Sequence, residues 1–157
     1  MRIKFVLVGR TDQTWLNMGI DEYLSRIRKY IPFEIILINN IKNRAKMPEQ
    51  MIKKMEGEKI LEKISEKDIV ILLDERGKSF TSKEFAIFIQ KQISSGTRNI
   101  IFVSGGAYGF SEEVYARKNF MVSLSDLTFS HQMVRLIFAE QLYRALTIIN
   151  NEPYHHE

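Results

Sequence analysis

The sequence predicts an α/β fold: a parallel sheet with helices on both of its faces. Short runs rich in Ile, Val, Leu and Phe recur along the chain, segments with helical spacing separate them, and the runs are apolar throughout, as strands covered on both faces read. The first run is Ile3–Val8. Leu16, Ile20, Leu24 and Ile27 follow at intervals of three to four residues and predict a helix. A second strand is expected at Glu34–Ile38, with Ile60 and Ile64 marking the next helix, and a third at Ile69–Leu73. Thr81-Ser82-Lys83-Glu84 reads as a capping box ahead of Phe85, Phe88, Ile89 and Ile93, and that helix should stop before Gly96. Asn99–Val103 and Phe120–Leu124 complete the strands, with Ser111 capping a helix between them. The last helix, His131–Ile149, carries 12 apolar residues in 19, more than one stripe against one sheet requires. A second apolar surface therefore needs cover, and a partner subunit is the simplest cover.

Composition narrows the classes of function. The chain has 157 residues, 45% hydrophobic and 27% charged, which predicts one globular domain over residues 1–157. The longest uncharged run, Asn99–Ser111, is too short for the roughly 18 apolar residues of a membrane span, so no membrane association is expected. Met1–Val8 lacks the apolar core of a signal peptide and there is no cysteine, which excludes disulfides and thiol catalysis and points to the cytoplasm. The net charge of +4 is uneven: the first 65 residues hold 13 Lys and Arg against 8 Asp and Glu, the remainder 10 against 11. Lys42, Arg44, Lys46, Lys53 and Lys54 crowd a stretch with Asn39, Asn40 and Asn43, a composition that suits a polyanion-facing surface and equally a solvated face.

Three stretches could carry chemistry, each following one of the three C-terminal strands. Leu73-Asp74-Glu75-Arg76-Gly77-Lys78 ends a buried strand in charge, where ligands collect in open α/β sheets. Ser104-Gly105-Gly106-Ala107-Tyr108-Gly109 runs into the Ser111-capped helix, and its glycines permit close backbone approach to a ligand as readily as a plain turn. It matches neither G-x-G-x-x-G nor the Walker pattern. Leu124-Ser125-Asp126-Leu127-Thr128-Phe129-Ser130-His131 mixes polar and apolar side chains as a small-molecule pocket wall does, although helix capping by Thr128 or Ser130 explains part of it. One pocket could gather all three. The ending Pro153-Tyr154-His155-His156-Glu157 reads as a frayed tail or as active-site equipment, and its adjacent imidazoles cannot readily share a tetrahedral metal. Glu140 and Arg144 have the spacing of a helical ion pair. On these residues alone, a flavodoxin-like small-molecule domain and a noncatalytic RNA-binding module also fit.

In order along the chain, Leu73-Asp74-x-x-Gly77-Lys78, Gly105-Gly106-x-x-Gly109, Leu124-Ser125-x-Leu127-Thr128-Phe129-x-His131, Val134-Arg135, Glu140-Gln141-Leu142-Tyr143-Arg144-Ala145 and Pro153-Tyr154-His155 resemble the RlmH family of knotted SPOUT methyltransferases, over the full length from Met1 to Glu157. The resemblance implies a SPOUT fold with a C-terminal trefoil knot, and S-adenosylmethionine-dependent methylation of N3 of a pseudouridine in 23S ribosomal RNA of the large subunit. It implies a homodimer joined through the last helix. Leu73, Gly105, Gly106 and Leu124, Ser125, Asp126, Leu127, Thr128 and Phe129 would hold the cofactor. His155 is the expected base, with Tyr154 and Glu140 orienting it or the target, Arg144 neutralising charge on the ring, and His156 standing where the family commonly has Arg or Lys. Ser130 likewise stands where a Pro is frequent.

Overall fold

The computed structural model describes residues 1–156, so of the tail read above only Glu157 lies outside the described residues. Five parallel strands, β1 (Arg2–Val8), β2 (Phe33–Ile38), β3 (Ile69–Ser79), β4 (Asn99–Ser104) and β5 (Phe120–Ser123), form one sheet in the order β2-β1-β4-β3-β5. The helices are α1 (Thr14–Ile27), α2 (Glu49–Leu61), α3 (Ser82–Ile93), α4 (Glu112–Arg117) and α5 (Met133–Ile149).

Two-residue periodicity divides the core. Ile3, Phe5 and Leu7 of β1 join Ile71, Ile100 and Phe102 under α1, α3 and α5, whereas Val6, Val8, Val70, Leu72, Ile101 and Val103 face the other way with Ile60 of α2 and Val114 of α4. Helices on both faces are thus what an apolar run in both registers requires. Phe138 of α5 centres the first core, its ring 4.5 Å from Phe5 and 4.6 Å from Phe102. The capping box is present in full: the Thr81 hydroxyl accepts from the Glu84 N–H and the Glu84 carboxylate from the Thr81 N–H. Ser111 caps α4 by accepting from the Val114 N–H.

Several boundaries move. β3 runs past Leu73 through Asp74-Glu75-Arg76-Gly77-Lys78 to Ser79, because the chain pairs again with β5 after a register shift between Leu73 and Lys78. Gly77 allows this return: a Cβ there would lie 2.5 Å from the Val122 backbone nitrogen and 2.6 Å from the Met121 carbonyl carbon. α2 ends at Leu61, so Ile64 lies beyond the helix. α5 begins at Met133 instead of His131, after a turn in which Ser130 Oγ accepts from the Met133 N–H at 3.2 Å. Of its apolar side chains, Phe138, Ala139, Leu142, Ala145 and Leu146 are buried, while Met133, Leu136, Ile137, Tyr143, Ile148 and Ile149 stay half-buried in the single chain.

Candidate functional site

The three stretches converge as a parallel sheet makes them converge. The ends of β3, β4 and β5 and the first turn of α5 enclose a cavity of about 560 Å3, lined by Leu73, Gly105, Gly106, Leu124, Ser125, Leu127, Thr128 and Phe129 among others. Every cofactor residue expected from the sequence is in this wall except Asp126, whose carboxylate instead accepts from Ser79 Oγ at 3.3 Å. The 124–131 loop shapes itself: Ser125 Oγ accepts from the Leu127 N–H at 2.9 Å, and Thr128 Oγ1 donates to Glu75 at 3.0 Å.

Gly105 and Gly106 are small for reasons beyond ligand access. A Cβ on Gly105 would meet the Phe110 ring at 3.2 Å, and one on Gly106 would meet Glu56 Oε2 at 2.8 Å. Glu56 is a residue that sequence reasoning passed over. It is 2% exposed, neither carboxylate oxygen has a hydrogen-bond partner among the described residues, and burial pushes its pKa up against the pull of Arg44. The available signal was its position on the buried stripe Ile52, Glu56 and Ile60.

A second buried charged group follows Val134 of the cavity wall. Arg135 is 0% exposed; its Nη2 donates to the Val8 carbonyl at 2.6 Å and its Nη1 to Thr11 Oγ1 at 2.8 Å, tying α5 to the end of β1. Beside it, His131 lines the cavity, and burial together with the positive charge of Arg135 and Arg44 lowers its pKa. A neutral imidazole thus faces the site. On the opposite wall the Tyr115 hydroxyl donates to Asp74 Oδ2 at 2.5 Å and Arg76 contacts both; burial opposes ionisation of Asp74, but these hydrogen bonds outweigh it and hold the carboxyl below its ordinary range.

Glu140, Arg144, Tyr154 and His155 do assemble, but elsewhere. Arg144 pairs with Glu140 at 2.5 Å and lies 3.4 Å from His155 Nδ1, and Tyr154 donates to Glu140 at 3.2 Å while packing edge-on against Tyr143. Burial, with Tyr23 and Glu140, raises the Tyr154 pKa, so its hydroxyl stays protonated. His156 is exposed. None of Glu140, Arg144, Tyr154, His155 or His156 lines this chain's own cavity; the tail docks on α5 at Glu140 and Arg144. Val134 lines the cavity and Arg144 meets the tail, ten residues or about 15 Å apart along a helix. Just before the tail, Tyr30 also holds Glu152 at 2.5 Å. Among the described residues, no helix is long and apolar enough to cross a membrane and no group of three or more His, Cys, Asp or Glu could hold a metal ion.

The chain is similar to known proteins along its whole length. Residues 1–155 match the family described as "Predicted SPOUT methyltransferase". It is 48% identical over 157 residues to the "Ribosomal RNA large subunit methyltransferase H" of Parabacteroides distasonis, covering 100% of both chains, and 51% identical over 156 residues to the protein of that name from Christiangramia forsetii, covering 99% of both. Among solved structures, a probable methyltransferase from Bordetella pertussis Tohama I superposes with a TM-score of 0.54 at 14% identity, over 92% of this chain and 96% of that one, a likeness of fold.

Proposed function

The chain belongs to the SPOUT methyltransferase family, and from that premise we propose that it methylates ribosomal RNA of the large subunit with S-adenosylmethionine, at N3 of a pseudouridine in the 23S molecule. The observation that carries this reading is the cavity into which β3, β4 and β5 deliver all three loops. Its residues fit the cofactor: Leu73, Leu124, Phe129 and Val134 offer apolar walls for a purine, and the backbone of Gly105, Gly106 and the 124–129 loop offers donors and acceptors. Asp126 contributes through backbone and loop shape, since its carboxylate is engaged with Ser79. When bound, the cofactor supplies an electrophilic methyl carbon on a sulfonium centre.

What remains for the protein is orientation and a destination for a proton. The imide N3–H must be lost before nitrogen attacks, and His155 takes that proton in this reading. Tyr154, kept protonated by burial, stacks and donates instead of acting as a base. Glu140 orients Arg144 and Tyr154, Arg144 neutralises the charge that develops on the ring, and His156 donates to the RNA.

In this chain the tail docks on α5 away from its own cavity, so the proposal includes a homodimer. A two-fold axis beside α5 covers its half-buried side chains and sets the tail of each copy against the cavity of the other. The trefoil knot and the cytoplasmic location belong to the same reading. The test is transfer of a radiolabelled methyl group to naked 23S RNA, large subunits and whole ribosomes, with nucleoside analysis of the product. Label on N3 of one pseudouridine is expected; absence of label from all three substrates overturns the reading.

A further inference from the structure

The cofactor cavity has a neighbour. A second cavity of about 480 Å3 shares Arg76, Tyr108, Phe110 and Tyr115 with the first and adds Lys53 and Lys54 of α2. Its chemistry is distinctive. Two tyrosine rings each carry a guanidinium, Arg44 over Tyr108 at 5.7 Å and Arg76 over Tyr115 at 4.8 Å. Tyr108 is 40% exposed, and Lys54 and Arg76 are exposed beside it. Tyr115 is fixed by its hydrogen bond to Asp74, so that ring holds its place. Glu112 and Glu113 also line the cavity but sit in the first turn of α4, where backbone N–H groups and the Ser111 hydroxyl hold the Glu113 carboxylate below its usual range with Lys54 close by. The cavity thus carries Lys53, Lys54 and Arg76 against Glu112 and Glu113, an excess of positive charge.

A flat exposed ring beside cations is what a single strand of nucleic acid stacks and pairs upon. We propose that this second cavity is a subsite for the nucleotide flanking the target base, with its phosphate on Lys53 and Lys54 and its base against Tyr108. The proposal rests on the RNA methyltransferase reading above. It assigns a role to two of the five clustered basic residues and to an aromatic outside the family-like motifs.

The test compares the full-length protein with a Lys53→Gln/Lys54→Gln double variant and, as a control of equal charge on α2 and just past its end, Lys59→Gln/Lys63→Gln. Methyl transfer to large subunits gives kcat, KM and its salt dependence; calorimetry gives S-adenosylmethionine affinity. The cavity variant should raise KM for subunits about tenfold at 0.1 M salt and flatten the log–log salt slope by about 1.4, two contacts at roughly 0.7 each. Its cofactor affinity and melting temperature should match the parent. Unchanged KM and slope, or an equal change from the control pair, overturns the subsite and leaves the methyltransferase reading standing. No transfer by the parent protein overturns that reading and the subsite with it.

Discussion

Glu56 and Gly106 compete for one volume: Oε2 of the buried glutamate stands 2.8 Å from where a Cβ on Gly106 would be. The glycine is therefore as much a consequence of α2 as of any ligand. A carboxyl with no partner beneath the loop that walls the cavity favours its neutral form.

Because its folded-state pKa is raised, Glu56 contributes stability that is present below the ordinary glutamate range and lost as pH rises through the folded value. Glu56→Met should therefore be more stable than the parent at pH 8, by about 1–3 kcal/mol for an unsatisfied buried group, and the gain should shrink toward pH 4. Urea unfolding at the two pH values measures it. A less stable variant at pH 8 would show that the carboxylate has a partner.

His131 works with the opposite sign. Its lowered pKa means the unfolded chain binds more protons around and below pH 6.5, so stability should fall as pH drops through that window. His131→Gln should flatten this acid-side loss while weakening little at pH 8. Thermal melts between pH 5 and 8 distinguish the two slopes, and parallel curves would mean the imidazole is not held neutral.

A methyl group at position 77 has nowhere to go, since the atoms it would meet are the backbone of Met121 and Val122. Gly77→Ala should cost about 1–3 kcal/mol through strain between β3 and β5. Cofactor affinity should fall with it, because β5 leads straight into the 124–129 wall. Calorimetry and denaturant unfolding should move together.

The tail predicts a mixing experiment. A chain ending at Glu152 and a chain with a blocked cavity (Ser125→Trp) should each be inactive, yet combined in equal amounts they should recover about a quarter of parental activity, because half the dimers hold one intact site of two. His155→Ala should behave as the truncated chain does. No recovery on mixing would place the tail and cavity of one chain in the same site.

Most strands and helices, and the gathering of three loops, were legible because each depends on apolar period and on strand direction, which side chains report. β3 beyond Leu73 was not, since Asp74 to Lys78 reads as a turn and its pairing with β5 is made by backbone. The tail could be named as an assembly with Glu140 and Arg144, yet its distance from the cavity follows from the length of α5, and no residue states that. Glu56 is a charged residue on a buried stripe, and averaging over a stripe conceals it; Arg135 stood in a motif, but its burial against Val8 and Thr11 did not show. Position in a loop does not say which way a carboxylate turns, so the engagement of Asp126 with Ser79 could not be read from the sequence.

The strand order has a consequence for how the chain is made. β1 precedes the other four strands in sequence, but it lies between β2 and β4, and its register with β4 joins Arg2 to Asn99. The Phe5 and Phe102 rings then wait for Phe138. A growing chain therefore carries an unpaired β1 edge until β4 is made, and an uncovered aromatic face until Phe138 follows.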